Sequence, residues 1–399
     1  MDTPKNDASR RIRELDGLRG IAILIVVVWH YFYFYPKPGH HPAGMLRSIY
    51  LRFEQCIATG WTGVDLFFIL SGFLIGGILL DAKGSPDYFK TFYARRFYRI
   101  IPLYYVWIAG YIASILLFHV VPGWNVYASG ELGFWPILSH FLFIQNLGFI
   151  SYTGISGVWF ISTWSLAVEE QFYLIAPVVI RICSRRILPA LLCSAVIAAP
   201  LFRLFVHHYW HPAMTLDAAY ILMPCRADGL SIGVLAAYFW RSESFRGFCS
   251  QHIGVLYGTC GLFLIGVAAL NFLSPDLHSI AMISLGYTWF ALFYVQILLL
   301  ALIHPAGPVG IVARIKFLRY LGGISYCVYI VHQAALPFAG KLLYLLPMFS
   351  PSLQAAIAPF LAIGICLGIA TLSWRYFESR MIARGHSYRY SARLPVSSS

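Results

Sequence analysis

Ten stretches of this 399-residue chain are too apolar, over too great a length, to be shared with water. They fall near 21–36, 61–80, 101–121, 164–181, 187–206, 222–240, 253–272, 279–303, 318–338 and 353–374. A hydrocarbon layer about 30 Å thick is crossed by roughly twenty apolar residues of helix. Inside that layer every backbone N–H and C=O must be paired, which leaves only helices and closed barrels. The runs are continuous rather than alternating, which favours helices over a barrel. The expected fold is all-α: a polytopic membrane protein with about ten transmembrane helices. Only 11% of the residues are charged, against about 25% in water-soluble domains.

The formal charge of +13 invites a nucleic-acid reading, but the positions of the charges oppose it. With the N-terminus in the cytoplasm, the cytoplasmic segments hold 23 of the 29 Lys and Arg residues. Such asymmetry is a topological signal, and it places both termini in the cytoplasm. The expected partner is therefore the lipid bilayer and not nucleic acid. The opening MDTPKNDASRRIRELDG is polar and lacks a cleavable secretory pattern, so the first span is expected to be retained. Residues 1–18 read as a cytoplasmic segment, 19–384 as one membrane domain, and 385–399 as a disordered cytoplasmic tail. The run 134–148 (FWPILSHFLFIQNLG) is short and interrupted, and is expected to re-enter the membrane or lie at its interface. The eight cysteines form no CxxC pair and read as apolar packing residues.

Ionisable groups at membrane depth are costly, so each is a functional candidate until a partner accounts for it. His30 lies about two-thirds of the way outward along the first span. Asp65 sits near the outer end of the second, and Glu169 and Glu170 in the outer half of the fourth. Arg226 opens the sixth from outside, and His332 lies in the outer half of the ninth. Segments far apart in sequence thus bring ionisable groups to one depth. Simpler roles compete: an interfacial helix charge for Asp65, and a bond to a neighbouring helix for His332. Glu169 and Glu170 are about 100° apart on a helix, so only one can face a given site.

Arg19 and His30 are the most informative pair. Eleven helical residues advance about 16.5 Å and turn about 1100°, three turns and a small remainder. Both residues therefore share a face with Ile23 and Val26, one at the cytoplasmic mouth and one deep inside. A long anionic donor entering from the cytoplasm fits that geometry. Arginine presents a planar fork of donors to phosphate, and histidine can take a proton from an attacking hydroxyl. Arg95, Arg96 and Arg99, just before Pro102, are candidates for further phosphate contacts. Lys90 is explained by snorkelling, and Ser71, beside Gly72, by close helix packing. His207, His208 and His211 have metal-like spacing but no carboxylate until Asp217, so no metal is expected.

These residues sit in "LDGLRGIAILIVVVWH", "GVDLFFILSGFLI", "RRFYRIIPLYY", "WSLAVEEQFY", "RADGLSIGVLAAY", "LGGISYCVYIVH" and "RYFE". In this order they resemble the acyltransferase 3 family of bacterial membrane enzymes over nearly the whole membrane region. The resemblance implies transfer of an acyl group, often acetyl, from cytoplasmic acyl-CoA to a hydroxyl of an extracytoplasmic or lipid-linked glycan. It places the family's first-span Arg and His on Arg19 and His30, and its arginine motif on Arg95, Arg96 and Arg99. The acid of its "SLxxE" motif falls on Glu169. Many members continue into an SGNH-type domain; this chain resembles the stand-alone class.

The resulting expectation is a multi-pass O-acyltransferase of the bacterial inner membrane, with no permanently bound cofactor. Acyl-CoA, as acetyl-CoA, lies along Arg19, Arg95, Arg96 and Arg99, and His30 deprotonates the acceptor. Glu169 or Asp65 orients the imidazole, Phe34 lines the acyl cavity, and Arg226, Trp159, Trp164 and His332 meet the carbohydrate. A covalent acyl-histidine is a variant of that scheme. The rival readings are a transporter or flippase of a lipid-linked sugar, a sensor on the same fold, and an enzyme acting on a glycosylated small molecule.

Overall fold

The computed structural model describes residues 12–34, 45–120, 134–147, 159–209, 218–346 and 348–391. Among them every regular element is helical. The helices are α1 Arg13–Trp29, α2 Met45–Ile57, α3 Gly63–Ala82, α4 Tyr88–Val120, α5 Phe134–Phe141, α6 Trp164–Ile182, α7 Ile187–Tyr209 and α8 Ala218–Ile221. They continue with α9 Ala227–Trp240, α10 Glu243–Gln251, α11 Ile253–Leu273, α12 Tyr287–Ile303, α13 Pro308–Ala313, α14 Lys316–Tyr344, α15 Pro351–Ser373 and α16 Ser379–His386. Three short π-helical turns interrupt the α-helical runs, at His30–Phe34, Met282–Gly286 and Trp374–Glu378. π-turns inside helices recur at functional positions, and the first of these begins on His30.

Among the described residues, seven helical stretches are long and apolar enough to cross a membrane: Arg13–Phe34, Ser48–Ala82, Tyr88–Leu116, Ile187–Tyr209, Ile253–Leu273, Met282–Ile303 and Pro351–His386. Three further runs expected to span are helical but fall short by that measure, each for a visible reason. Helix α6 carries Glu169, Glu170 and Arg181. Helix α9 has only 14 residues. Helix α14 is 29 residues long but is diluted by Lys316, Arg319, His332, Gln333 and Lys341. The run at 134–147 forms the eight-residue α5 and a turn at Gln145–Leu147.

Two close helix contacts organise the bundle, and glycine makes both of them. Helix α1 packs along α14, and α3 along α9. A methyl placed on Gly20 would lie 1.9 Å from the Leu318 carbonyl oxygen, and one on Gly322 1.8 Å from that of Asp16. Gly72 and Gly233 permit the same approach between α3 and α9. Small residues let backbones meet closely where lipid supplies no hydrophobic force between helices. Gly20 and Gly322 thus set how near α14, with His332, comes to α1, with His30, while Gly17 makes room for Ala313 of α13.

Buried ion pairs tie the other helices. Arg203 of α7 donates to Asp228 at 2.8 Å, and Thr288 donates to the same carboxylate at 2.6 Å. Arg226 pairs with Asp65, both buried. At the N-terminal end of α1, half-exposed Arg314 meets buried Glu14 at 2.5 Å.

The tail corrects an expectation. Residues up to Ser391, read as disordered from 385, are seated against α4: Arg95 donates to the Tyr388 carbonyl at 2.9 and 2.7 Å. Thr91 donates to the Arg389 carbonyl at 3.2 Å, and the Arg95 guanidinium lies 5.1 Å from the centre of the Tyr390 ring. Aromatic and cationic partners hold what composition alone marks as polar tail. Residues 392–399 lie outside the described residues, as do His211 and Asp217 of the histidine-rich loop.

Candidate active site

A cavity opens between α1, α3, α4, α6 and α14. Arg19, Arg96, Arg99 and Glu169 line its charged part, with Ser71 and Tyr173 beside them. Val64, Phe67, Phe68, Ser165 and Tyr329 line its apolar part. Along α3 the lining runs from Ile75 and Leu74 through Ser71 to Phe67 and Val64. The three arginines make no hydrogen bond and no ion pair within 4 Å among the described residues. Arg96 lies only against a ring face, 5.9 Å from the centre of Tyr173.

Glu169 is the only carboxylate in the lining, and both its oxygens are already engaged. Ser71 donates to Oε1 at 2.7 Å and Tyr173 to Oε2 at 3.0 Å. Three guanidiniums therefore share the lining with a single carboxylate. Arginines gathered in one cavity without ion-pair partners have the chemistry to suit a multiply charged anion, because each fork can grip phosphate in two-pronged fashion.

The histidines lie beyond the apolar end. His30 Nδ1 is 2.9 Å from the Val26 carbonyl oxygen, one turn back on its own helix. His332 Nδ1 is 2.7 Å from the Tyr329 carbonyl oxygen. A carbonyl only accepts, so in each neutral ring Nδ1 carries the hydrogen and Nε2 the lone pair. His332 Nε2 lies 3.3 Å from His30 Nδ1 and so accepts a second, longer branch of that donor's hydrogen bond. The result is a fixed tautomer for His30, with its Nε2 lone pair directed away from both acceptors. Tyr31 adds a 2.6 Å bond to the His332 carbonyl, holding the two helices at this level.

Each predicted residue can now be placed. Arg19, Arg96, Arg99 and Glu169 come together; Arg95 does not, because its guanidinium is committed to the Tyr388 carbonyl. The two glutamates separate as helix geometry requires. Glu169 faces the cavity, while buried Glu170 Oε1 has no hydrogen-bond partner among the described residues.

Four expected roles need correction. Neither Glu169 nor Asp65 bonds the His30 ring: Glu169 is held by Ser71 and Tyr173, and Asp65 by Arg226. Arg226 is 1% exposed, with its guanidinium over Tyr287 at 4.4 Å and Tyr220 at 5.3 Å, and offers no surface to a sugar. Trp164 is buried against Tyr220, and Trp159 packs on Trp107 with ring centres 4.0 Å apart. His332 is fully buried, so it meets His30 and not a carbohydrate. Phe34 lies outside the arginine cavity but beside His30, with ring centres 5.8 Å apart.

Sequence reasoning missed three participants. Ser71 was assigned to packing, but Gly72 does the packing and Ser71 holds Glu169. Tyr173 lies one turn after Glu169, a spacing visible in the sequence. Tyr329, one turn before His332, had no signal among so many tyrosines.

The profile of a family described as an acyltransferase domain matches residues 12–373. The chain is 26% identical over 383 residues to the peptidoglycan O-acetyltransferase OatA of Listeria monocytogenes, covering 94% of this chain and 56% of that protein. It is 29% identical over 352 residues to the putative peptidoglycan O-acetyltransferase YrhL of Bacillus subtilis, covering 82% and 49%. With the O-acetyltransferase OatA of Staphylococcus aureus it shares 24% over 345 residues, covering 83% and 52%. The chain thus spans about half the length of the curated relatives it matches. No solved structure matches it significantly.

Proposed function

The chain belongs to the acyltransferase 3 family, and from that premise we propose that it is an integral-membrane O-acyltransferase using cytoplasmic acyl-CoA. The acceptor is a hydroxyl of a cell-wall glycan of the peptidoglycan class, the substrate class printed in its relatives' names. The proposed topology is ten spans in a bacterial cytoplasmic membrane, with both termini inside. The single observation that carries the donor assignment is the trio Arg19, Arg96 and Arg99, which share one cavity and have no carboxylate within ion-pair distance.

In this reading the CoA phosphates rest on the arginines and the thioester points along α3 toward Phe67 and Tyr329. The acceptor oxygen attacks the thioester carbon as His30 Nε2 takes its proton. The C–S bond breaks, and the imidazolium returns the proton to the departing thiolate. Both states of His30 keep Nδ1–H donating to Val26 O and His332 Nε2, so the ring need not reorient as it charges. A positioned general base is worth about 10²–10⁴ in rate.

Binding tests the donor site without chemistry. Calorimetric titration of acetyl-CoA into the detergent-purified chain should give saturable binding that Arg19→Ala and Arg99→Ala each weaken about tenfold or more. Equal affinity in wild type and both variants would refute the donor assignment.

A further inference from the structure

We propose that Tyr329 is the partition between the donor cavity and the histidine pair, and that its ring limits the acyl group to a short chain. The inference rests on the acyl-CoA reading above and deepens it.

Tyr329 lines the cavity, whereas neither His30 nor His332 does. Its ring is 5.6 Å from that of His332, which in turn is 4.8 Å from that of His30. On the cavity side it meets Phe67 edge-on, with centres 6.1 Å apart. The two rings close the apolar end where a thioester would arrive. The phenol is tethered from α6's N-terminal turn: Tyr329 OH donates to the Ser162 carbonyl at 2.8 Å, and Ser165 Oγ lies 2.6 Å from it. The same residue's carbonyl holds His332 Nδ1 at 2.7 Å. One residue therefore both fixes the tautomer of His332 and occupies the space leading to the histidine pair.

The consequence is steric. An acetyl group adds one methyl beyond the thioester carbon, whereas butyryl adds two more methylenes that must lie where the Tyr329 and Phe67 rings meet. Each methylene in a closed pocket changes selectivity by about 10-fold or more. Removing the ring should make room for the longer chain while the arginine site for CoA stays as it is.

The test is a competition. Membranes containing the full chain and peptidoglycan glycan strands receive equimolar ¹⁴C-acetyl-CoA and ³H-butyryl-CoA, and label in the glycan is counted. The product ratio equals the ratio of the two kcat/KM values and is independent of how much enzyme is folded. Wild type should favour acetyl. Tyr329→Ala should raise the butyryl-to-acetyl ratio about tenfold or more, and Tyr329→Phe, which keeps the ring, should retain the wild-type ratio. An unchanged ratio in Tyr329→Ala would overturn the partition. If that variant transfers neither label, Phe67→Ala reads the same ratio from the opposite wall, and no change there overturns it equally. No label from wild type would instead overturn the transferase reading on which the partition stands.

Discussion

His332 Nε2 stands 3.3 Å from His30 Nδ1, across the seam between α1 and α14. In many acyl-transfer sites a carboxylate fixes the catalytic imidazole; here a backbone carbonyl and a second imidazole fix the His30 ring. That choice avoids a buried carboxylate at membrane depth, where an unpaired charge costs several kcal/mol. It also makes the placement of the His30 ring depend on how closely two helices pack.

Removing the second imidazole tests this arrangement. His332→Ala leaves Val26 as the only acceptor for His30 Nδ1, and should lower kcat about 10²-fold with the KM for acetyl-CoA nearly unchanged. Steady-state kinetics on membranes, with both substrates varied, distinguish this from a loss of donor binding.

The arginines should separate by role. Arg19→Ala, Arg96→Ala and Arg99→Ala should each raise the KM for acetyl-CoA about tenfold or more, the worth of a charge-assisted contact. Arg95→Ala should leave that KM within about twofold, since Arg95 holds the tail and not the cavity. Releasing the tail should instead show as proteolytic cleavage near Tyr388.

The close α1–α14 contact should matter to catalysis without any chemistry of its own. Gly322→Ala places a methyl against the Asp16 carbonyl and forces the helices apart, an overpacking change that costs about 1–3 kcal/mol. Transfer should fall together with thermal stability in detergent, while membrane insertion stays normal. Full activity would show that the separation of His30 and His332 is not set there.

For Arg226 the expected outcome is structural. Arg226→Ala leaves Asp65 buried without its partner and should destabilise by about 3 kcal/mol or more. The joint replacement Arg226→Met with Asp65→Leu should recover much of that loss. Unfolding in detergent, followed by thiol exposure of buried Cys225, reads both. Loss of acceptor affinity at unchanged stability would restore Arg226 to the carbohydrate site.

Which residues share a helix face was legible in the sequence; which of them pair across helices was not. Periodicity put Arg19 and His30 on one face of one helix, and the helix is indeed continuous from Arg13 into the turn at His30–Phe34. The ionisable residues stood out because charge in an apolar run is costly wherever it lies. Their pairing depends on lateral helix packing, which one-dimensional spacing does not encode. Asp65 therefore looked like a partner for His30, though α3 lies against α9 and delivers it to Arg226. Arg95 and Arg99 looked equivalent one turn apart, but the tail competes for Arg95 alone. The glycines of "DGLRG" carried part of the missing information, since Gly20 marks where α14 comes close and Gly17 where α13 does.

The most direct measurement is label transfer from ¹⁴C-acetyl-CoA into glycan by membranes containing wild type or His30→Ala at matched expression. Label entering glycan with wild type, and falling at least about 10²-fold with His30→Ala, is the predicted result. Equal label from the two would contradict the account, and leave His30 as a residue that packs α1 against α14.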